Sequence, residues 1–301
     1  MASQRDVRNR ISSVKNIQKI TRAMEMVAAA RLRRAEQRIA ALRPYAEAIG
    51  RMTRQASLAA GAEAARVPLL REHESTSNVG LLLITGDRGL AGGFNSQIIR
   101  AGVRLSGEIA DEGLQSAWYA TGRRGVSSLA FRGYELSGSY TGFSDRPAYA
   151  DARTIAGELI SAYVDGRLDR VELLFNAYIS PLTQEVTRET LLPLSHTAIT
   201  GGGEGSGQDG EGSARRTPVD YEPDPEKILR RLVPDYIEIS VYRALVESAA
   251  GFFGAQMTAM RSASENAGEL ITEYTLQMNR ARQAEITQEI MEVVAGAEGL
   301  S

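Results

Sequence analysis

The chain contains no cysteine. That excludes disulfides, thiolate metal sites and thiol switches. Histidine is nearly as scarce, with only His73 and His196 present, too few for a His-rich metal site. No stretch approaches about 18 consecutive apolar residues, so nothing reads as a membrane span. No secretory leader is visible. The Arg-rich start reads as the opening of a helix and not as a transit peptide, because a helical pattern runs through it unbroken and includes Asp6.

What is present is long amphipathic helix at both ends. One apolar helical pattern runs from about Ser3 to Gln55 and another from about Asp235 to Val294. Ordinary helices average about 11–12 residues. Helices this long cannot fold back into a compact core, so they must pack on each other or on a partner. Ser3 is the expected N-cap of the first, with Asp6 three residues on. Its apolar residues recur at steps of three and four through Val7, Ile11, Val14, Ile17, Ile20, Met24 and Val27. A shift resembling a stutter then resets the seam to Leu32, Ala35, Ile39, Leu42, Ala46 and Ile49. Pro44 is expected to kink this helix. At the other end, Asp224-Pro225-Glu226 reads as N-cap, first-turn proline and first-turn acid. Pro234 is expected to break or bend the second helix, with regular winding after it. The second seam runs Leu245, Ala249, Phe253, Met257, Met260, Ser264, Ala267, Ile271, Tyr274, Met278 and Ala281. The two rods would be roughly 75 and 80 Å long.

Charge supports their pairing. Residues 1–54 carry thirteen Arg/Lys against four Asp/Glu, whereas residues 225–301 carry seven against eleven. Opposite local charge favours an antiparallel partnership between the ends. A basic helix also suits nucleic acid, but its positives form no clean stripe and the acidic helix is the nearer partner.

Between the rods the pattern changes to α/β. Val79–Thr85 (VGLLLIT) is a near-continuous apolar run, as a strand buried on both faces requires. Ser116–Thr121, Val171–Tyr178 and the alternating Val186–Leu191 are further strand candidates, the last nearer an edge. Helical stretches near Ser96–Glu112, Gly122–Arg132 and Ala150–Asp165 separate them. The expected fold is therefore α/β: a long antiparallel coiled coil of the terminal helices plus a central Rossmann-like domain. Its segments are the N-terminal helix at 1–57, the central domain at 75–200, a Gly-rich linker at 201–220 and the C-terminal helix at 221–301.

Gly201–Ser213 contains a formal GxGxxG at Gly205, Gly207 and Gly210. No strand precedes it and no helix opens from it, so it reads as linker and not as a dinucleotide site. The segment most like an enzyme's is Gly86-Asp-Arg-Gly-Leu-Ala-Gly-Gly-Phe-Asn95, which leaves the strongest strand and enters a helix. Its glycines would let backbone amides approach an anion. No Lys-Ser/Thr pair completes a phosphate loop, so a tight strand–turn–helix connection is the competing reading. No nucleophile–base–orienter set can be assembled, and no cofactor is implied.

Four segments together resemble one family, the gamma subunit of F-type ATP synthases. They are Ile11–Ala35 (ISSVKNIQKITRAMEMVAAARLRRA), the turn Asp87–Asn95 (DRGLAGGFN), the entry Tyr221-Glu-Pro-Asp-Pro225, and the end Asn279–Ala297 (NRARQAEITQEIMEVVAGA). They lie in family order across nearly the whole chain. Departures are few: the family often has Cys where Ala91 stands and Ser where Gly86 stands. The linker at 201–213 has no assignable counterpart, and the cysteine pair of photosynthetic relatives is missing, which rules out that redox control.

The resemblance implies a non-catalytic rotor shaft. It would couple proton flow through a membrane ring of c subunits to cycling of three catalytic beta subunits. The implied partners are three alpha and three beta subunits, epsilon and the c-ring, with the membrane reached only through partners. Met24, with Arg22 and Glu25, would meet the beta-subunit lever. Arg282 and Gln283 would form a polar catch, and Thr287 and Glu289 would help fix the helix pairing. In the central turn the motif positions are Asp87, Arg88, Gly89, Gly92, Gly93 and Asn95. Ile290–Ala297, with Glu292 as its one acid, would suit a low-friction bearing. Onset of the family pattern at the first residues leads us to expect a bacterial chain, peripheral on the cytoplasmic face of the cell membrane. The rival expectations are a phosphate-binding α/β enzyme built on Gly86–Asn95, or a coiled-coil scaffold outside the synthase.

Overall fold

A computed structural model describes residues 4–73, 75–194 and 224–298. Ser3, the linker with its glycine triplet and the Tyr221–Pro223 part of the helix entry lie outside them. By packing the chain divides into two compact units, Met1–Ala30 with Gln256–Ser301, and Arg31–Ala255.

Helix α1 spans Gln4–Ala60 and the C-terminal helix, α5, spans Pro225–Glu298. Both run through their prolines, so Pro234 does not break its helix. The lost hydrogen bonds would have gone to the carbonyls of Ala40 and Arg230, and both residues are exposed, so water can satisfy those carbonyls. The expected cap at Asp224 is present: its Oδ1 accepts the Glu226 N–H at 3.1 Å.

In the first unit α1 and α5 pair antiparallel. The Gln18 side chain donates to the Ser264 carbonyl at 3.2 Å, and Arg261 Nε meets Glu25 Oε1 at 2.9 Å. The α5 seam is as expected, with Met260 and Ala267 buried and Ser264, Ile271, Tyr274, Met278 and Ala281 half-buried. The α1 seam is not. Its covered positions are Val7, Ile11, Val14, Gln18, Thr21, Glu25 and Ala28, and the same alternation of four and three continues along the helix through Leu32, Ala35 and Ile49 to Ala60. There is no stutter. The apparent shift arises because Ile17, Ile20 and Val27 belong to a neighbouring stripe and are 53%, 59% and 53% exposed. Three polar residues hold the seam beside them.

The second unit contains the α/β body. After short 3-10 turns at Gly61–Arg66 and Pro68–Leu70 come β1 (Asn78–Ile84), α2 (Phe94–Asp111), β2 (Gln115–Thr121), α3 (Arg123–Phe131), β3 (Leu136–Tyr140), α4 (Tyr149–Val164), β4 (Arg170–Ser180) and β5 (Thr183–Leu192). The sheet order is β3-β2-β1-β4-β5. The first four strands are parallel, and β5 returns antiparallel along β4 as an edge. Central β1 is buried on both faces, as its apolar run requires. Val79, Leu81 and Leu83 pack with Ile98, Leu105 and Ile109 of α2 and Leu129 of α3. Leu82 and Ile84 face the opposite layer, built from Ile155 and Leu159 of α4, Leu229, Val233 and Ile237 of α5, and Ala56 and Ala60 of α1. Each such buried leucine contributes roughly 1.5–3 kcal/mol. Strand β3 (LSGSY) has no counterpart among the expected strands, because serine and glycine give it no apolar signature.

Candidate functional site

In an open parallel sheet, ligands bind beyond the carboxyl ends of the strands where the strand order reverses. Here that point lies at the end of β1, between β2 and β4, and Gly86–Asn95 leaves from it. The turn is closed on itself. Asn95 Oδ1 accepts the Gly86 N–H at 2.8 Å, and Asn95 Nδ2 donates to the Arg88 carbonyl at 3.1 Å. Asp87 ties the turn to its neighbours. Its Oδ1 accepts the Arg123 N–H at 3.0 Å and its Oδ2 the Ser144 N–H at 3.1 Å. The Gly142 N–H reaches both oxygens, and the Ser144 hydroxyl donates to Oδ2 at 2.8 Å. The Asp87 N–H donates back to Ser144 Oγ at 2.8 Å. Burial pushes this carboxyl up, but the bonds from Gly142, Ser144 and Arg123 outweigh it and hold it below the ordinary value.

The glycines are explained by close approach. A Cβ on Gly86 would stand 3.0 Å from the Phe252 ring of α5, and one on Gly89 would stand 3.0 Å from the Arg124 guanidinium. Gly92 has φ +54°. Leu90, also left-handed at φ +64°, is 63% exposed. Arg88 lies 3.6 Å from Asp145, which also holds Arg31 of α1 at 3.0 Å.

The crevice is therefore full. Leu245, Ser248, Ala249 and Phe252 of α5 plug it against Ile84, Thr85, Phe94, Thr121 and Ser144, leaving about 10 Å³. One water needs about that much, and a nucleotide pocket needs some 300–1,000 Å³. The amides of Gly86 and Asp87 are spent within the protein. The turn is a structural joint, and the phosphate-site reading of it fails.

The helix residues named from the sequence fall into two groups. Arg22 is exposed, Met24 is half-buried and Glu25 makes the ion pair to Arg261. Glu25 thus secures the helix pair. Thr287 and Glu289, assigned to that pairing from the sequence, do not: both are exposed beyond Ala281, and the Thr287 hydroxyl bonds the Gln283 carbonyl of its own helix at 2.9 Å. Arg282 and Gln283 are exposed as well. Ile290, Met291, Val293 and Val294 leave apolar surface uncovered at the end of α5. Sequence reasoning missed Ser144 and Gly142, which hold Asp87 from more than fifty residues away and carry no local signal.

Comparison with known proteins agrees with this arrangement. The family model described as ATP synthase matches residues 3–300. The chain is similar to the ATP synthase gamma chain of Rubrobacter xylanophilus, 44% identical over 301 residues, covering all of this chain and 99% of that one. It is 40% identical to the ATP synthase gamma chain of Nostoc punctiforme, with both chains fully covered. Among solved structures, its fold is similar to a chain of the Euglena gracilis mitochondrial ATP synthase (OSCP/F1/c-ring), with TM-score 0.65, 14% identity and coverage of 99% of this chain and 94% of that chain. It is also similar to one in the Tetrahymena thermophila mitochondrial ATP synthase central stalk/c-ring, with TM-score 0.60, 24% identity and coverage of 81% and 99%. With long terminal helices, a sheet whose ligand crevice is filled by its own last helix, and full-length likeness to these gamma chains, the chain belongs to the ATP synthase gamma chain family.

Proposed function

We propose that the chain is the central shaft of a rotary ATP synthase. It catalyses nothing itself and couples proton flow through the c-ring to the cycling of three beta subunits. The observation that carries this reading is the second apolar stripe of α1. Ile17, Ile20 and Val27 lie beside the covered seam and are left open by α5, so they need a surface from another chain. Met24, half-buried between them, and exposed Arg22 sit at the same place. We assign Arg22, Met24 and Glu25 to the contact with the beta-subunit lever. Arg282, Gln283, Thr287 and Glu289 go to a polar catch toward the alpha–beta ring, and the apolar turns after Glu289 run in its sleeve. The turn Asp87–Asn95, with Arg88, Gly89, Gly92 and Gly93, is the joint that holds the central domain at 75–200 in shape while it carries epsilon and meets the c-ring.

A shaft acts by differential contact. Each beta subunit meets a different side of an asymmetric rotor, and only the difference in contact energy between its states can shift it. Among the described residues no helix is long and apolar enough to cross a membrane. We place the chain in the membrane-associated synthase, held by its partners on the cytoplasmic side of a bacterial membrane.

Native mass spectrometry of the complex released from source membranes by low salt and chelator tests this. One copy with three alpha and three beta subunits is expected. Recovery of the chain alone, or in another assembly, overturns the reading.

A further inference from the structure

A shaft must pass torque between its α/β body and its helices. Interdigitated apolar packing resists rolling, and directional contacts add a restraint on orientation that area burial alone does not supply. A hydrogen bond weakens steeply with angle and distance, so it resists rolling. Four short charge-assisted contacts in the second unit lie in pairs between the body and the helices, and Arg153 of α4 adds a longer one to Glu238 at 3.9 Å. On α1, Arg31 is held by Asp145 at 3.0 Å, and Glu36 by the Tyr178 hydroxyl of β4 at 2.5 Å. On α5, Glu238 is held by the Tyr149 hydroxyl of α4 at 2.5 Å, and Arg243 by Glu189 of β5 at 2.5 Å.

The spacing is the same on both helices. Arg31 and Glu36 are five residues apart, and so are Glu238 and Arg243. Five steps turn an α-helix by about 140° beyond a full revolution. Each helix is thus gripped on two well-separated sides by two different elements of the body. A single contact would leave a hinge about which the helix can roll, whereas two contacts about 140° apart oppose rotation in both senses. The guanidiniums are backed by aromatic rings as well: Arg31 lies 5.7 Å from the centre of the Phe253 ring, and Arg243 lies 5.6 Å from that of Phe175.

We infer that these four pairs are torsional stays, which lock the two shaft helices against rolling on the α/β body and carry torque between them. The inference rests on the rotor reading above. The Tyr140 hydroxyl with Glu158 is a matched pair of the same chemistry, but it joins β3 to α4 inside the body and touches neither shaft helix.

The test uses the catalytic sector assembled with cysteine-free alpha and beta subunits and a bead fixed to the body through Gly107→Cys. Gly107 has open space at its Cβ, and the chain has no other cysteine. Angular variance of the bead during the ATP-waiting pause reports torsional stiffness. Tyr149→Phe with Tyr178→Phe keeps both rings and removes one short hydrogen-bonded stay from each helix, leaving Glu238 only the longer Arg153 pair at 3.9 Å. Halving the short directional contacts is expected to raise the variance about twofold, with ATP hydrolysis unchanged. Tyr140→Phe is expected to leave the variance alone. Unchanged variance in the double variant overturns the inference, and so does an equal rise with Tyr140→Phe. Should the double variant not assemble, each single variant is measured against Tyr140→Phe with the same two outcomes. Unmutated protein that does not rotate at all would instead refute the rotor reading.

Discussion

Replacing Gly86 by alanine, with and without Phe252→Ala, tests whether α5 fills the crevice at the end of β1. The added methyl would stand 3.0 and 3.1 Å from two atoms of the Phe252 ring. That ring cannot swing aside, because it sits edge-on to Phe94 and Phe253, each 5.6 Å away between centroids. Gly86→Ala alone should therefore cost about 1–2 kcal/mol by overpacking. Phe252→Ala alone should cost about 3–5 kcal/mol, since Phe252 is buried and leaves a cavity. In the double variant the clash disappears and the methyl enters the vacated space, so the second change should be nearly free. The coupling energy expected from the cycle is thus about 1–2 kcal/mol, in the sense that the pair is less damaging than the sum. Trp118, the chain's one tryptophan, is buried on β2, so its fluorescence in urea follows unfolding of the α/β body. Additivity within about 0.5 kcal/mol would refute this packing. Tight binding of ATP by the Phe252→Ala chain would show that the crevice is a nucleotide site merely stoppered, against the spent amides of Gly86 and Asp87.

Four further outcomes are expected. Asp87→Asn should cost about 2–3 kcal/mol near neutral pH, because it removes the charge that four donors share. The Asp87 carboxyl is held below its ordinary value of 3.8, so its contribution is present above that value and fades as pH falls through the lower folded value. The gap between wild type and variant in urea should accordingly narrow below about pH 4, and a constant gap would contradict the assignment. Glu172 is buried between Arg170 and Arg188, each at 3.2 Å; Glu172→Gln should lower stability by about 3–5 kcal/mol in the same assay, and a loss under 1 kcal/mol would show the pair is not needed. Ile17→Asp should leave the chain's own urea midpoint nearly unchanged yet impair assembly with alpha and beta subunits, whereas Ala28→Asp should disrupt the helix pair itself; equal effects would mean that the two stripes are not distinct. Met24→Lys should reduce protons pumped per ATP hydrolysed more than it reduces assembly, because it puts a new charge where we assign the beta-subunit contact, and an unchanged ratio would sink this.

Much of this was legible in the sequence where burial and local pattern coincide. VGLLLIT announces a central strand because both its faces are covered. The α5 seam reads cleanly from Met257 to Ala281 because apolar type and helical phase agree there. On α1 they part. Gln18 and Glu25 find partners on α5 and the Thr21 hydroxyl bonds the Gln18 carbonyl of its own helix, so these polar residues sit in the covered seam, while Ile17, Ile20 and Val27 stay exposed beside them. Apolar periodicity alone cannot separate those two stripes, so it produced a false stutter. The break weighed at Pro234 is absent, since an exposed Arg230 lets water reach the carbonyl that the proline leaves unpaired. The turn at Gly86–Asn95 was visible, but its nature was not. What decides against phosphate is the Phe252 ring and Ser144, both distant in sequence.

The layer beneath β1 and β4 has a consequence for how the protein is made. It joins Ala56 and Ala60 from the first helix to Leu229, Val233, Ile237, Val241 and Leu245 from the last. A ribosome that has released everything through β5 has exposed a sheet with one face only partly covered, by α4 and the end of α1. Closing that face requires contacts across nearly two hundred residues, which is slow to achieve and leaves apolar surface open meanwhile. The nascent body should therefore need a chaperone until α5 emerges, and a message truncated within α5 should yield aggregate and not a shortened rotor.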